Sequence, residues 1–135
     1  TGSGYGAAVL SHLAAEVQTV ERIPELESEA AGRLERLGYA NVSVHVANGT
    51  LGLPEHAPFD AILVTASAEE LPEPYRAQLA EGGRIVIPVG DAITQLMFRF
   101  TKRSGELETE NLGHFAFVPL IGEFGWDESQ AKAAG

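Results

Sequence analysis

Three short stretches of this sequence carry residue types that could do chemistry together. Gly2-Ser3-Gly4-Tyr5-Gly6 places three glycines in five residues, so the backbone can approach a ligand and present N–H groups near the start of a helix. Glu21 follows Gly2 by 19 positions, close to the spacing of about 20 at which an acidic side chain accepts hydrogen bonds from ribose hydroxyls in dinucleotide-binding folds. Asn48-Gly49-Thr50 offers an amide able to address an adenine edge, beside a glycine that gives it room. Each alone is matched by a bland reading: a structural turn, a surface glutamate at a strand end, an ordinary Asn-Gly turn. The joint spacing of the glycine turn and Glu21 favours a nucleotide-like ligand, with Gly2, Ser3, Gly4, Glu21, Asn48, Gly49 and Thr50 as the candidate binding residues.

Other chemistries are excluded or unsupported. The chain has no cysteine, which removes disulfides, thiolate zinc sites and thiol nucleophiles. His12, His45, His56 and His114 lack metal-ligand spacing, so no metal is expected. The carboxyl groups form no convincing acid-base pair, and no catalytic residue can be assigned. A net charge of −10, with Lys102-Arg103 the one adjacent basic pair, disfavours nucleic acid as a partner. That charge reads as a solvated acidic surface that aids solubility. No apolar run is long enough to cross a bilayer, and Thr1 to Gly6 lack the pattern of a secretory signal, so a cytoplasmic location is the default. The sequence sets no oligomeric state.

The elements that must position these residues alternate. A length of 135 residues with 44% hydrophobic and 21% charged residues suits one globular domain. Ala7 to Leu13 suits a short helix, and Glu16 to Glu21 a strand. Pro24 sits where the first turn of a helix tolerates proline. Leu26, Ala30, Leu34 and Leu37 then recur at helical spacing, Glu29 and Arg33 pair four apart, and Gly38 supplies a left-handed cap. Val42, Val44 and Val46 alternate with polar or small residues as in a strand. Ala61 to Val64 is continuously apolar, as in an interior parallel strand. A helix over Pro74 to Ala80 ends at Gly82-Gly83, and a second apolar strand, Ile85 to Ile87, stops at Pro88. Leu96 to Lys102, a Ser104-Gly105 turn and a strand returning from Glu106 to Val118 form an antiparallel hairpin. The pattern predicts an α/β fold: a doubly wound, mostly parallel, Rossmann-like sheet with a C-terminal antiparallel edge. Residues 1–121 form its core and 122–135 a loosely held tail.

Several segments also carry a resemblance. Gly2-Ser3-Gly4-Tyr5, Val20-Glu21-Arg22-Ile23-Pro24-Glu25-Leu26 and Leu34-Glu35-Arg36-Leu37-Gly38-Tyr39 are followed in order by Asn48-Gly49-Thr50-Leu51-Gly52 and Pro58-Phe59-Asp60-Ala61-Ile62. Val64-Thr65-Ala66, Gly82-Gly83-Arg84, Ile87-Pro88-Val89-Gly90 and Phe117-Val118-Pro119-Leu120 complete the series. Together they resemble the protein-L-isoaspartate O-methyltransferases over nearly the whole chain. The Gly-Thr-Leu-Gly, Ile-Pro-Val-Gly and Phe-Val-Pro-Leu segments carry that likeness most specifically.

The resemblance implies S-adenosylmethionine as cofactor, held by the residues named above, and isoaspartyl-containing peptides or proteins as partners in a methyl-transfer repair reaction. It implies that Phe117 to Leu120 help line a peptide cleft; read from its residues alone, the segment is an edge strand ending at proline. Asn48 stands where the family usually has Asp, which predicts modestly weaker adenine binding. In the family a substrate-binding region and the first strand precede the position of Thr1. The resemblance therefore implies a core with its first strand missing and little or no turnover by this chain alone. Two other readings stay open at this point: an NAD-dependent oxidoreductase, since Gly2 to Ala7 also fits G-x-G-x-x-A, and a truncated module without catalysis. The terminal hairpin counts against the oxidoreductase.

Overall fold

A computed structural model describes residues 1–91 and 93–133, the last two by their backbone alone. It contains two compact units, Thr1–Gly49 and Thr50–Gly135.

In the first unit a helix α1 (Tyr5–Ser11) precedes strand β1 (Val17–Glu21), helix α2 (Pro24–Arg36) and strand β2 (Val42–Val46). Helix α1 starts two residues before the expected Ala7, because Gly4, left-handed at φ 88°, takes the cap position. It ends early at Ser11, whose carbonyl, with that of Ala14, accepts the side-chain N–H groups of Asn41 at 2.9 and 3.1 Å. Helix α2 forms where Pro24 brings a φ suited to the first turn, and where Glu25 and Glu27 in that turn and Arg33 and Arg36 in the last complement the helix dipole. Gly38 comes next at φ 81°, as predicted. The buried stripe is narrower than the periodicity implies: Ala30 and Leu34 are buried, whereas Leu26 and Leu37 are exposed. Spacing marks a face, but burial depends on what covers it. Strands β1 and β2 run parallel, from Val17 beside Val42 to Glu21 beside Val46.

The second unit holds β3 (Phe59–Leu63), α3 (Glu73–Gln78), β4 (Leu79–Gly90), β5 (Gln95–Arg103), β6 (Glu106–Phe115) and α4 (Glu128–Ala133). Its sheet has the order β3-β4-β5-β6, the first pair parallel and the next two antiparallel. The chain is thus α/β with a mixed sheet: among the described residues, two of the four strand pairings are parallel. Val64, Ala68, Tyr75, Leu79, Ile85 and Ile87 form the core.

Two expectations are corrected here. The apolar run 61–64 is interior only at its end: Val64 is buried, but among the described residues β3 lies at the edge of its sheet, and Ala61 and Leu63 are exposed. The helix expected to reach Gly82-Gly83 ends at Gln78, and β4 begins at Leu79, running through those glycines and through Pro88, where the strand was expected to stop. Pro88 forgoes only the donor that proline lacks, and its carbonyl still accepts the Ala68 N–H at 3.1 Å.

The hairpin turn is where it was predicted. Ser104 at φ 52° and Gly105 at φ 78° both lie in the left-handed region favoured by two-residue hairpin loops. The Glu81 carboxylate accepts the backbone N–H groups of both, at 3.1 Å for Gly105. Along β6, Glu106, Glu108 and Glu110 pair with Arg76, Arg103 and Arg99. The segment expected to be loosely held is anchored near its start: Trp126 is buried, and its indole N–H donates to the Ser67 carbonyl at 3.1 Å. Residues 134 and 135 of that tail lie outside the described residues.

Candidate functional site

The glycine turn is held against the end of β1. The Thr1 hydroxyl donates to the Val20 carbonyl at 2.8 Å and lies 2.7 Å from the Thr19 hydroxyl. Gly2 takes φ 54°, and its N–H donates to Glu21 Oε2 at 3.0 Å. The other carboxylate oxygen, Oε1, accepts the Ile23 N–H at 3.1 Å. Burial pushes the Glu21 carboxyl up, but hydrogen bonds from the N–H groups of Gly2 and Ile23 pull it down, and the group is held below its ordinary value. A carboxylate has about four lone-pair positions, so Glu21 keeps acceptor capacity for a further donor.

The parallel pairing brings the second predicted residue to the same rim. Glu21 sits beside Val46, and its carbonyl accepts the Ala47 N–H at 3.1 Å. Asn48 therefore lies directly beyond the C-terminal end of β2, next to the end of β1, where ligands bind in open α/β sheets. The surface is open at both glycines, since a β-carbon on Gly2 or Gly49 would meet no atom within 4 Å. Ser3 is exposed, and its carbonyl accepts the guanidinium of Arg33 at 2.5 Å. Gly4 closes the turn, its N–H donating to the Thr1 carbonyl at 3.1 Å.

Thr50 departs from the expectation. Its exposure is 0% and its hydroxyl accepts the Phe124 N–H at 3.3 Å, so its side chain faces the interior of the second unit, not a ligand surface. No local pattern signals this, because the polar hydroxyl finds its partner 74 residues away. Two further residues escaped the sequence reading. Arg33, expected to pair with Glu29, turns to Ser3 instead. Gln78 reaches the turn after Thr50: its Oε1 accepts the Leu53 N–H at 2.9 Å and its Nε2 donates to the Leu51 carbonyl at 2.8 Å. Neither has a local sequence signature, because both act over more than 20 residues of chain. Among the described residues no three His, Asp or Glu side chains gather as a metal site. His45 lies 2.6 Å from Gln18 Oε1, and His12 packs edge-on against Tyr39.

Known proteins resemble this chain in sequence and in fold. The chain is 49% identical over 128 residues to a protein-L-isoaspartate O-methyltransferase of Dictyoglomus turgidum, covering 95% of this chain and 58% of that relative. It thus spans little more than half of that relative's length. A solved structure described as a protein-L-isoaspartate O-methyltransferase superposes with a TM-score of 0.85 at 34% identity, over 92% of this chain and 41% of the other. A Plasmodium falciparum structure assigned to the same enzyme class, in complex with S-adenosyl-L-homocysteine, gives a TM-score of 0.71 at 30% identity, over 89% of this chain and 63% of the other. The sequence profile of protein-L-isoaspartate(D-aspartate) O-methyltransferases matches residues 1–125. With the profile extending over the glycine turn, Glu21, Asn48 and the hairpin alike, this chain belongs to the protein-L-isoaspartate(D-aspartate) O-methyltransferase family.

Proposed function

We propose that this chain is the cofactor-binding core of a protein-repair enzyme that transfers a methyl group from S-adenosylmethionine to the α-carboxylate of L-isoaspartyl residues, acting in the cytoplasm. The observation that carries the proposal is the placing of Glu21, gripped by Gly2 and Ile23 at the end of β1 with acceptor capacity left over. Family membership and the S-adenosyl-L-homocysteine in the Plasmodium falciparum relative support the choice of ligand.

When bound, S-adenosylmethionine supplies a methyl group on a positively charged sulfur, which the isoaspartyl carboxylate takes as the carbon–sulfur bond breaks. Such a carboxylate is already ionised at neutral pH, so no side chain need act as a base. The residues of this chain therefore work by positioning. Glu21 would accept the ribose hydroxyls, Asn48 would meet the adenine edge, and the Gly2-Ser3-Gly4 backbone would border the remainder without side chains in the way. Residues 1–121 are taken as the functional core, with the anchor at Trp126 steadying the tail.

Isothermal titration with S-adenosyl-L-homocysteine tests the reading. Binding by the chain, weakened about tenfold or more in Glu21→Gln, is expected. Equal binding by both forms would refute the role of Glu21, and tighter binding of NADH would refute the ligand.

A further inference from the structure

Resting on that reading of the rim, we propose that Arg33 is a positioning residue for the cofactor site, fixing the Ser3–Gly4 peptide of the glycine turn. Its Nη1 lies 2.5 Å from the Ser3 carbonyl oxygen, across 30 residues of sequence. That carbonyl shares a peptide plane with the Gly4 N–H, which donates to the Thr1 carbonyl at 3.1 Å. The plane is therefore held at both of its polar ends. The hold is needed because Gly4 can rotate about φ at little cost, and a rotated plane would reverse the carbonyl and N–H that border the rim.

Arg33 is well placed for this. Helix α2 begins at Pro24, three residues after Glu21, and is seated by the buried side chains of Ala30 and Leu34. Leu34 backs the turn directly, since a β-carbon on Gly4 would lie 3.3 Å from its Cδ1. Glu21 and Arg33 thus come from the two ends of one strand-to-helix segment and grip consecutive residues, the first at the Gly2 N–H and the second at the Ser3 carbonyl. The carboxylate takes the donor and the guanidinium the acceptor, each as a charge-assisted bond. A planar guanidinium sets direction better than a lysine ammonium on a flexible stem.

The test compares the full chain with Arg33→Met, Arg33→Lys and, as a charge control on the same helix, Arg36→Met. Titration with S-adenosyl-L-homocysteine is expected to show affinity lowered about tenfold in Arg33→Met, partly restored in Arg33→Lys and changed less than about twofold in Arg36→Met. Amide hydrogen exchange read by NMR should quicken at Gly4 and Tyr5 in Arg33→Met while the amides of β1 and β2 keep their rates. If the parent chain binds the ligand and Arg33→Met binds equally well, the proposal is overturned. Should exchange quicken throughout β1 and β2, Arg33 is a general stabiliser and the proposal also falls. If the parent chain binds no ligand, the cofactor reading fails and exchange alone decides: selective quickening at Gly4 and Tyr5 upholds the positioning role, and unchanged rates refute it.

Discussion

The backbone N–H of Gly2 and the carboxylate of Glu21, 19 residues apart, meet at 3.0 Å at the end of β1. This bond joins the two features whose spacing suggested a ligand, and it makes stability depend on pH. Glu21 is held below its ordinary value of 4.5, so near that value the unfolded chain binds more protons than the folded one. The stabilisation is present above the unfolded value and is lost as pH falls through the folded one. The melting-temperature gap between the parent chain and Glu21→Gln should therefore narrow as pH is lowered from neutral to about 3. A gap that stays constant in thermal unfolding followed by circular dichroism would contradict it.

Gly4 combines φ 88° with a close neighbour, 3.3 Å from where a β-carbon would meet Leu34 Cδ1. Gly4→Ala should cost about 1–2 kcal/mol, from the left-handed backbone alone, and more if Leu34 cannot yield. Gly6→Ala, in α1 and with nothing within 4 Å of the new carbon, should be neutral or stabilising. Denaturant unfolding of the two variants separates these outcomes.

Gln78 satisfies both the Leu53 N–H and the Leu51 carbonyl while being 7% exposed. Replacing its amide by the apolar chain of Gln78→Met keeps the shape and strands both groups. A loss of about 1–3 kcal/mol is expected. Equal unfolding midpoints for the two proteins would mean that water takes over the bonds.

Ser67 and Trp126 should respond in opposite directions. Among the described residues the buried Ser67 hydroxyl has no hydrogen-bond partner, so Ser67→Ala removes a stranded polar group and should stabilise by up to about 1 kcal/mol. Trp126→Phe deletes the donor to the Ser67 carbonyl and leaves a smaller ring in its place, for a loss of about 1–3 kcal/mol. Calorimetric melting of the two variants checks both signs.

What the sequence revealed divides along physical lines. Helix α2, strands β1 and β2 and the Ser104-Gly105 hairpin were legible because proline, glycine and periodicity act locally. The course of β4 was not, because pairing with β5 from Arg84 to Gly90 overrides the breaking tendency of Pro88. The exposure of β3 was missed because an apolar run reports what the residues tolerate, not which neighbours they have. At the candidate site, the meeting of Gly2 with Glu21 and the place of Asn48 just beyond β2 follow from strand ends and spacing. The inward turn of Thr50, the grip of Arg33 and the clamp of Gln78 are long-range side-chain contacts that no local pattern encodes.

The acidic ladder on β6 has a consequence for how copies of the chain behave toward one another. Among the described residues β6 lies at the edge of its sheet, with one row of its backbone donors and acceptors beside no other strand. Any second molecule adding its own strand there would bring its chain up against Glu106, Glu108 and Glu110, carboxylates whose arginine pairs it would have to disturb. The outermost strand is thereby poorly suited to seed fibrous growth, and the hairpin can stay long and regular without becoming a template for its neighbours.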